Sequence, residues 1–277
     1  MKKKVKTRKK ITLQSVIMYI LLILTALMFA TPMLFTLLSS IKTKVEIFAK
    51  PFSWPEVPQW SNYVEAWTSA NMSHYFLNSL IQAGATVIVL AIVSTMAAYV
   101  LSRFDFKCNK FLLGMMVPVH TVLVPVSYII GALNLKNNIP ALVMIYVAFS
   151  LPFSILVVTN FMKGVNRSLE EAALIDGATY FQIYKNVMLP MTVPAISTIS
   201  IFNFLGAWNN ILFPLLFIND KNLKPIALGL LNFNGERGSD YGPLMAAIVI
   251  TVAVPLVIYL LFQEKVEGGL AAGAVKE

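Results

Sequence analysis

The chain has 277 residues, of which 57% are hydrophobic and 13% are charged, and its mean hydropathy is +0.72. Soluble domains carry roughly 25% charged residues, so this composition excludes an ordinary soluble fold and makes lipid the solvent for much of the surface. The formal charge of +9 would indicate nucleic acid in a soluble protein, but here it is typical of cytoplasmic anchoring, and the one cysteine, Cys108, excludes an internal disulfide.

The chain opens on a basic tail, residues 1–14, and continues into an apolar run from about 15 to 38. A run of this length exceeds the apolar part of a secretory signal, so it predicts an uncleaved first membrane span. Each span must be helical, because backbone groups in lipid have no water to bind. We therefore predict an all-α integral membrane protein with six transmembrane helices, at about 15–38, 75–101, 111–133, 139–162, 191–218 and 242–263.

Basic residues are distributed unequally between alternate loops. With the N-terminus inside, 15 of the 22 Lys and Arg residues lie on the cytoplasmic side, although the N-terminal tail supplies much of this excess. Cytoplasmic loops are enriched in basic residues. The sequence therefore predicts a multi-pass protein of the cell (inner) membrane, with the N-terminus and the C-terminal tail 264–277 both in the cytoplasm.

Two predicted outer loops are long. Loop 219–241 is polar and rich in glycine. Loop 39–74 interleaves three prolines with aromatic residues that suit a membrane interface, so an aromatic belt and a binding role both remain open. The aromatic residues are Phe52, Trp54, Trp60, Tyr63 and Trp67.

The cytoplasmic loop 163–190 is long for a helix connection and strongly patterned. Ser168 and Glu171 have the spacing of a capping box at the start of a short helix. Gly177 can end or bend that helix, and a second short helix is predicted from about Tyr180 to Met188. Apolar side chains recur along both helices, and an apolar helical loop in water indicates a protein partner.

The same loop resembles the EAA loop of ABC-importer permeases, in which EAA is followed by three residues, glycine, nine residues, isoleucine, one residue and Leu-Pro. Val187 stands where isoleucine is usual. The remaining positions are occupied by Glu171, Ala172, Ala173, Gly177, Leu189 and Pro190. Further stretches, among them LPFSILVVTNFM, FNFLGAWNNILFPLLF and the C-terminal FQEKVEGGLAAGAVKE, resemble the shorter permease of maltose, raffinose and multiple-sugar importers.

This resemblance implies a type I importer bundle that pairs with a second permease. Two ATPase subunits would bind inside, and an extracytoplasmic sugar-binding protein would dock outside, contacting Gly235 and Gly238 of loop 219–241. ATP and magnesium would be bound by the ATPase subunits, with no cofactor or metal on this chain. The Gly- and Ala-rich stretch 266–277 predicts no stable fold of its own. A frayed tail fits this composition, whereas the resemblance implies that an extended segment, with small residues from Gly268 to Ala274, passes between the ATPase subunits. The residues that would contact the ATPase are Glu170, Glu171, Ala172, Ala173, Asp176, Gly177, Leu189 and Pro190.

The residues themselves exclude several chemistries. No phosphate-binding Gly-x-x-x-x-Gly-Lys-Ser/Thr motif occurs, so any ATPase that drives transport is another polypeptide. The two histidines, His74 and His120, lie far in sequence from candidate catalytic partners, and no HExxH metal motif is present. We predict no catalytic residue.

No Asp, Glu, Lys or Arg lies within the six predicted spans, which favours a neutral solute over ion coupling. Asn203, Trp208, Asn209 and Asn210 cluster in the fifth span, where amides and an indole can bind a sugar in the pathway. Hydrogen bonding between helices explains the asparagines as well. His120 fits either the lining of the pathway or a buried hydrogen bond.

Three functions therefore stand at this point. The first is a permease subunit of an ABC sugar importer. The second is a self-contained carrier or channel for a neutral solute. The third is a membrane scaffold. Two features favour the first function. Loop 163–190 has apolar helices that indicate a protein partner, and the predicted spans contain no charged side chains.

Overall fold

A computed structural model describes residues 12–68, 71–104, 118–235 and 238–274. Its short connecting elements are 3-10 turns at Val119–Val122, Lys221–Leu223 and Leu230–Phe233, a π turn at Tyr184–Met188, and strands β1 (Asn234–Gly235) and β2 (Gly238–Ser239). The α-helices are α1 (Leu13–Ser39), α2 (Lys44–Ala49), α3 (Ser61–Thr68), α4 (Met72–Arg103), α5 (Leu123–Ala132), α6 (Ile139–Lys163), α7 (Ser168–Ile175), α8 (Tyr180–Ile183), α9 (Leu189–Met191), α10 (Val193–Trp208), α11 (Leu212–Phe217), α12 (Ile226–Gly229) and α13 (Tyr241–Ala274).

Four helices are long and apolar enough to cross a membrane, namely α1, α4, α6 and the part of α13 from Tyr241 to Gln263. They coincide with the predicted first, second, fourth and sixth spans. The first part of the predicted third span, 111–117, lies outside the described residues, and its remainder is the 3-10 turn at Val119–Val122 followed by α5. The fold is all-α and membrane-spanning, while the count of six spans stays a prediction.

The predicted fifth span, 191–218, is not one straight helix. The helical run Tyr180–Met191 meets α10 at an angle of 71°. Buried Thr192 occupies the corner, and its hydroxyl donates to the Met188 carbonyl at 2.6 Å. Pro194 follows in the first turn of α10, where its missing N–H breaks no helical bond. Proline at this place permits the turn and explains why the run bends.

Helix α4 is the central packing element, and it contacts both α6 and α10. Its inward face carries mostly small side chains at spacings of three and four residues. Small residues let helix backbones approach closely in lipid, where no hydrophobic effect drives helices together. The small buried residues of α4 are Ser79, Ala83, Thr86, Ser94, Thr95, Ala98 and Ser102, and the larger ones are Met72, Tyr75, Gln82, Leu90 and Tyr99.

Some hydroxyl groups of α4 bond within the helix. Thr86 donates to the Gln82 carbonyl at 2.7 Å, and Thr95 donates to the Ala91 carbonyl at 2.6 Å. A buried hydroxyl without a partner would cost free energy in lipid. The local bonds therefore let polar residues lie between helices without needing water.

A buried polar junction organises the predicted outer end after α1. Lys42 is fully buried, and its ammonium donates to the carbonyls of Lys50 and Pro51 at 2.8 and 2.9 Å. Asn62 of α3 donates to the carbonyls of Ser40 and Lys42, both at 3.0 Å. These bonds tie α1, α2 and α3 together.

A capping box begins α2 at the same end. The Glu46 carboxylate accepts the backbone N–H groups of Thr43 and Glu56, each at 3.0 Å. These bonds hold the pKa of Glu46 below its usual value. The box is therefore fully charged at neutral pH.

Helix α13 continues to Ala274, well beyond the predicted end of the sixth span. The expectation that residues 266–277 lack a stable fold of their own is therefore wrong for 266–274, which are helical. The three glycines of this segment lower helix propensity and its three alanines raise it, and the helix continues through all of them.

A close contact between α12 and α4 gives a first prediction. A Cβ atom on Gly229 would overlap the ring of Tyr75, which is buried. Gly229→Ala should therefore destabilise the protein by about 1–3 kcal/mol, the usual cost of overpacking. The midpoint of thermal unfolding in detergent measures this. Gly84→Ala is the matched control, because no atom lies within 4 Å of its added Cβ, and equal midpoints for the two variants would contradict the prediction.

Candidate functional site

The loop 163–190 folds into two short helices joined by a tight turn. Helix α7 ends at Ile175, and Gly177, two residues later, has a left-handed φ of +81°. The N–H groups of Gly177 and Ala178 donate to the carbonyls of Leu174 and Ala173 at 3.0 and 2.9 Å, which is the Schellman pattern. Glycine is required here because other residues are strained at positive φ.

The start of α7 differs from the expectation. The predicted capping box of Ser168 and Glu171 is wrong: the N-cap is Arg167, and Ser168 is the first helical residue. The Asn166 side chain accepts the Ser168 N–H at 3.0 Å. Asn166 therefore accepts the Ser168 N–H, which the Glu171 side chain would accept in a capping box.

The start of α8 has a capping box that the sequence analysis missed. Thr179 accepts the Gln182 N–H at 3.4 Å, and the Gln182 side chain accepts the Thr179 N–H at 2.7 Å. The pattern Thr-x-x-Gln was a readable signal for it. The two helices thus have defined ends and a defined angle between them.

One side of this loop is anchored in the bundle. Ile183 and Met188 are fully buried and join a cluster with residues of α4, α6 and α10. The hydroxyls of Tyr184 and Thr95 lie 2.8 Å apart, within hydrogen-bonding distance. The rings of Tyr184 and Tyr99 are 5.6 Å apart. These contacts fix the loop to the end of α4.

The other side of the loop is exposed and apolar. Ile175 is 87% exposed and Phe181 is 64% exposed. Large apolar side chains in this number on a loop mark a protein contact surface. We call this the α7–α8 surface, and its exposed apolar members are Leu169, Leu174, Ile175, Tyr180 and Phe181.

The predicted ATPase-contact residues divide between these two sides. Glu170 is buried and forms an ion pair with Arg103 of α4, so its carboxylate is occupied within the chain. Ala173 and Leu189 are half-buried. The exposed predicted residues are Glu171, Ala172, Asp176, Gly177 and Pro190.

Two of the predicted pathway residues are internal packing groups. Buried Asn203 donates from its amide to the Ser154 hydroxyl at 2.9 Å and to the Ile199 carbonyl at 2.7 Å. Fully buried Trp208 donates from its indole N–H to the Thr251 carbonyl at 3.1 Å. The bonds to Ser154 and Thr251 join α10 to neighbouring helices, which favours the interhelical explanation for these two residues.

The remaining pathway candidates are nearer the surface. Asn209 and His120 are exposed, and Asn210 is half-buried. The Asn210 side chain accepts the Phe213 N–H at 3.1 Å and thereby begins α11. Exposure of His120 does not fit the buried hydrogen bond considered for it. Asn209 and His120 are therefore the candidates left free to face a solute.

At the predicted outer end, β1 and β2 form a short antiparallel hairpin in which Gly235 pairs with Gly238. Residues 236–237, between the two strands, lie outside the described residues. The two predicted contact glycines therefore lie together on one hairpin.

Among the residues that the structure describes, no group of three His, Cys, Asp or Glu side chains is placed to hold a metal ion.

Comparisons with known proteins agree with this architecture. Residues 109–271 match the family described as binding-protein-dependent transport system inner membrane component. Over 267 residues the chain is 38% identical to the diacetylchitobiose uptake system permease protein NgcG of Streptomyces coelicolor, covering 94% of this chain and 88% of that relative. It is 29% identical over 267 residues to the multiple sugar-binding transport system permease protein MsmG of Streptococcus mutans, covering 93% and 96%.

A solved structure is also similar. It is a bacterial ABC transporter involved in the import of the acidic polysaccharide alginate, and it matches with a TM-score of 0.81 over 93% of this chain and 99% of that chain. The sequence identity is 19%, so this likeness concerns the fold.

The contacts of α10 give a second prediction. Asn203→Ala and Trp208→Phe should each lower stability, by roughly 0.6–2 kcal/mol for a lost interhelical hydrogen bond. Asn209→Ala should change stability by less than about 0.5 kcal/mol, since the side chain is exposed, but should reduce solute uptake. Thermal unfolding and uptake measured on the same preparations separate the two roles. Loss of uptake without loss of stability in Asn203→Ala would contradict this division.

Proposed function

The chain belongs to the family of binding-protein-dependent transport system inner membrane components, and we propose that it forms, with a second permease, the pathway of an ATP-driven importer for a neutral sugar or oligosaccharide. It is a transport subunit of the inner membrane and not an enzyme. The observation that carries the proposal is the exposed α7–α8 surface, held by a buried half of the same loop.

The solute class rests on two further points. Relatives named for diacetylchitobiose and for multiple sugars support a carbohydrate. The absence of charged side chains from the predicted spans supports a neutral one, because charges inside a membrane accompany ions or protons. An extracytoplasmic binding protein would deliver the sugar.

The α7–α8 surface would face the cytoplasm and contact an ATPase subunit. Each of the two permeases would contact one such subunit. Exposed Glu171 lies in the first turn of α7, where the helix dipole favours an anion, and it would pair with a basic residue of the ATPase. Ala172 and Gly177 would permit close approach. ATP and magnesium would be held by the ATPase subunits.

Both termini would then be cytoplasmic. The C-terminal segment 264–277, helical through Ala274, would lie between the ATPase subunits as a helix and not as extended chain.

The positive φ at Gly177 gives a third prediction. Gly177→Ala should strain the turn between α7 and α8 by about 1–2 kcal/mol and reduce sugar uptake, and Gly177→Trp should uncouple ATP hydrolysis from uptake. Gly131→Ala is the matched control. Gly131 and Gly177 are both exposed, and an added Cβ meets no neighbouring group within 4 Å at either position. The two differ in backbone conformation, because Gly177 has a positive φ and Gly131 does not.

The measurement uses the reconstituted complex with its second permease, ATPase subunits and binding protein, tested with diacetylchitobiose, maltose and raffinose. The proposal expects uptake of at least one of these that requires ATP and the binding protein. Normal coupled uptake by Gly177→Trp would show that the α7–α8 surface is not the coupling site. Uptake by this chain alone in liposomes would favour a self-contained carrier.

The hairpin gives a fourth prediction. Gly235→Cys or Gly238→Cys, made in a Cys108→Ser background, should crosslink to the docked binding protein, because the hairpin is the expected contact. Ala172→Cys, at the opposite end of the bundle, is the control and should crosslink to an ATPase subunit instead. Crosslinks from position 172 to the binding protein would reverse the proposed orientation. The absence of crosslinks from the hairpin would refute it.

A further inference from the structure

Helix α4 is the candidate for transmitting movement across this bundle, because no proline interrupts it. Of the four long helices, α4 alone contains no proline, whereas α1, α6 and α13 contain Pro32, Pro152 and Pro255 in their interiors. Prolines are the usual sites of kinks. Since each residue adds about 1.5 Å, the 32 residues of α4 span roughly 48 Å without such a break.

At one end, α4 is fixed to α7 by Arg103. Its guanidinium forms the ion pair with Glu170 and also donates to the Val165 carbonyl at 3.2 Å and to the Met188 sulfur at 3.6 Å. The side chains of Arg103 and Glu170 are 7% and 11% exposed. One side chain thus joins three parts of loop 163–190.

The electrostatic setting favours this pair. Arg103 lies at the C-terminus of α4 and Glu170 in the first turn of α7, so each charge lies at the helix end whose dipole it complements. A buried ion pair adds little net stability over apolar residues, but it does define geometry when both partners are present. The guanidinium fork can satisfy several acceptors at once, which an ammonium cannot do in the same way.

At its other end, α4 is fixed to the segment that leads into the outer hairpin. Asn78 donates to the carbonyls of Asn222 and Lys224 at 2.7 and 3.1 Å. The Ser79 hydroxyl accepts the Ile226 N–H at 2.8 Å, and this bond is buried. The same helix therefore bonds to α7 at one end and to residues 222–226 at the other.

We propose that α4 links the two ends of the transporter, with Arg103 as a positioning residue that carries movement of α7 to segment 222–226 and its hairpin. The inference rests on the proposed function and adds to it the route by which binding-protein docking and ATP hydrolysis influence each other. Arg103 contacts neither sugar nor ATP.

The experiment measures ATPase activity of the reconstituted complex with and without its binding protein, using whichever of diacetylchitobiose, maltose and raffinose stimulates the wild type most. Arg103→Lys keeps the charge but loses the fork, and Ser79→Ala removes the buried one of the three bonds at the outer end. Each should reduce the ratio of stimulated to unstimulated activity by about tenfold, within the 5–150-fold range typical of coupling between sites. Lys50→Met paired with Glu56→Gln removes an exposed ion pair at the outer end and should leave the ratio unchanged.

The decisive variant combines Arg103→Lys with Ser79→Ala. The two residues are 24 positions apart, about 36 Å along the helix, and substitutions this distant normally have additive effects. If α4 is one link, breaking either end removes the same coupling, so the double variant should show no further loss. Losses that multiply, or full stimulation in both single variants, would overturn the inference.

A paired substitution tests whether Arg103 acts through folding alone. Arg103→Met with Glu170→Met removes both charges and leaves no unpaired buried ion, so the complex should assemble with a reduced ratio. Failure of this pair and of Arg103→Lys to assemble would identify the ion pair as a folding element and overturn the inference. If the binding protein does not stimulate the ATPase activity of the wild type, the proposed function fails and this inference fails with it. If the wild type is stimulated and the variants keep the same ratio, this inference alone is rejected.

Discussion

Backbone and hydroxyl groups inside lipid must find their partners within the protein, and the arrangement around α4 follows from that constraint. Its inward hydroxyls bond to carbonyls one turn earlier, as Thr86 does to Gln82, and the side chains between them are small. Two helices, α6 and α10, can therefore approach α4 closely. Close approach in turn allows Asn203 on α10 to reach Ser154 on α6.

The loop 163–190 combines two requirements that usually conflict. Its residues Ile183 and Met188 are buried against the bundle, while Ile175 and Phe181 remain open to a partner. The Schellman turn at Gly177 joins α7 to α8, and within α8 Phe181 is exposed whereas Ile183 is buried. An exposed apolar surface that is rigidly held loses little conformational entropy on binding, which suits the proposed contact with an ATPase subunit.

Buried polar groups in this protein join elements at the two ends of the bundle. Lys42 and Asn62 bind backbone carbonyls at the predicted outer end, and Arg103 binds Glu170 at the other. An unpaired charge at such a place would be costly, so each arrangement specifies one geometry. Between the two ends, packing and a few interhelical hydrogen bonds, such as those of Asn203 and Trp208, position the long apolar helices.

The sequence by itself determined the features that depend on composition and short spacing. Hydropathy identified the helices now seen as α1, α4, α6 and α13, and the pattern of loop 163–190 predicted two short helices with Gly177 after the first. Family membership followed from the same residues. These signals are local, since an apolar run of 20 residues or a glycine after a helix has the same meaning wherever the chain goes.

Tertiary structure decided which polar residues are internal and which face outward. Glu170 and Glu171 are neighbours with the same side chain, yet one is paired with Arg103 and the other is exposed, because helix α7 turns them to different sides. Asn203 and Asn209 differ for the same reason. Arg103 lies 67 residues before Glu170 in the sequence, and a contact between such distant residues is set by helix packing, which no local pattern specifies.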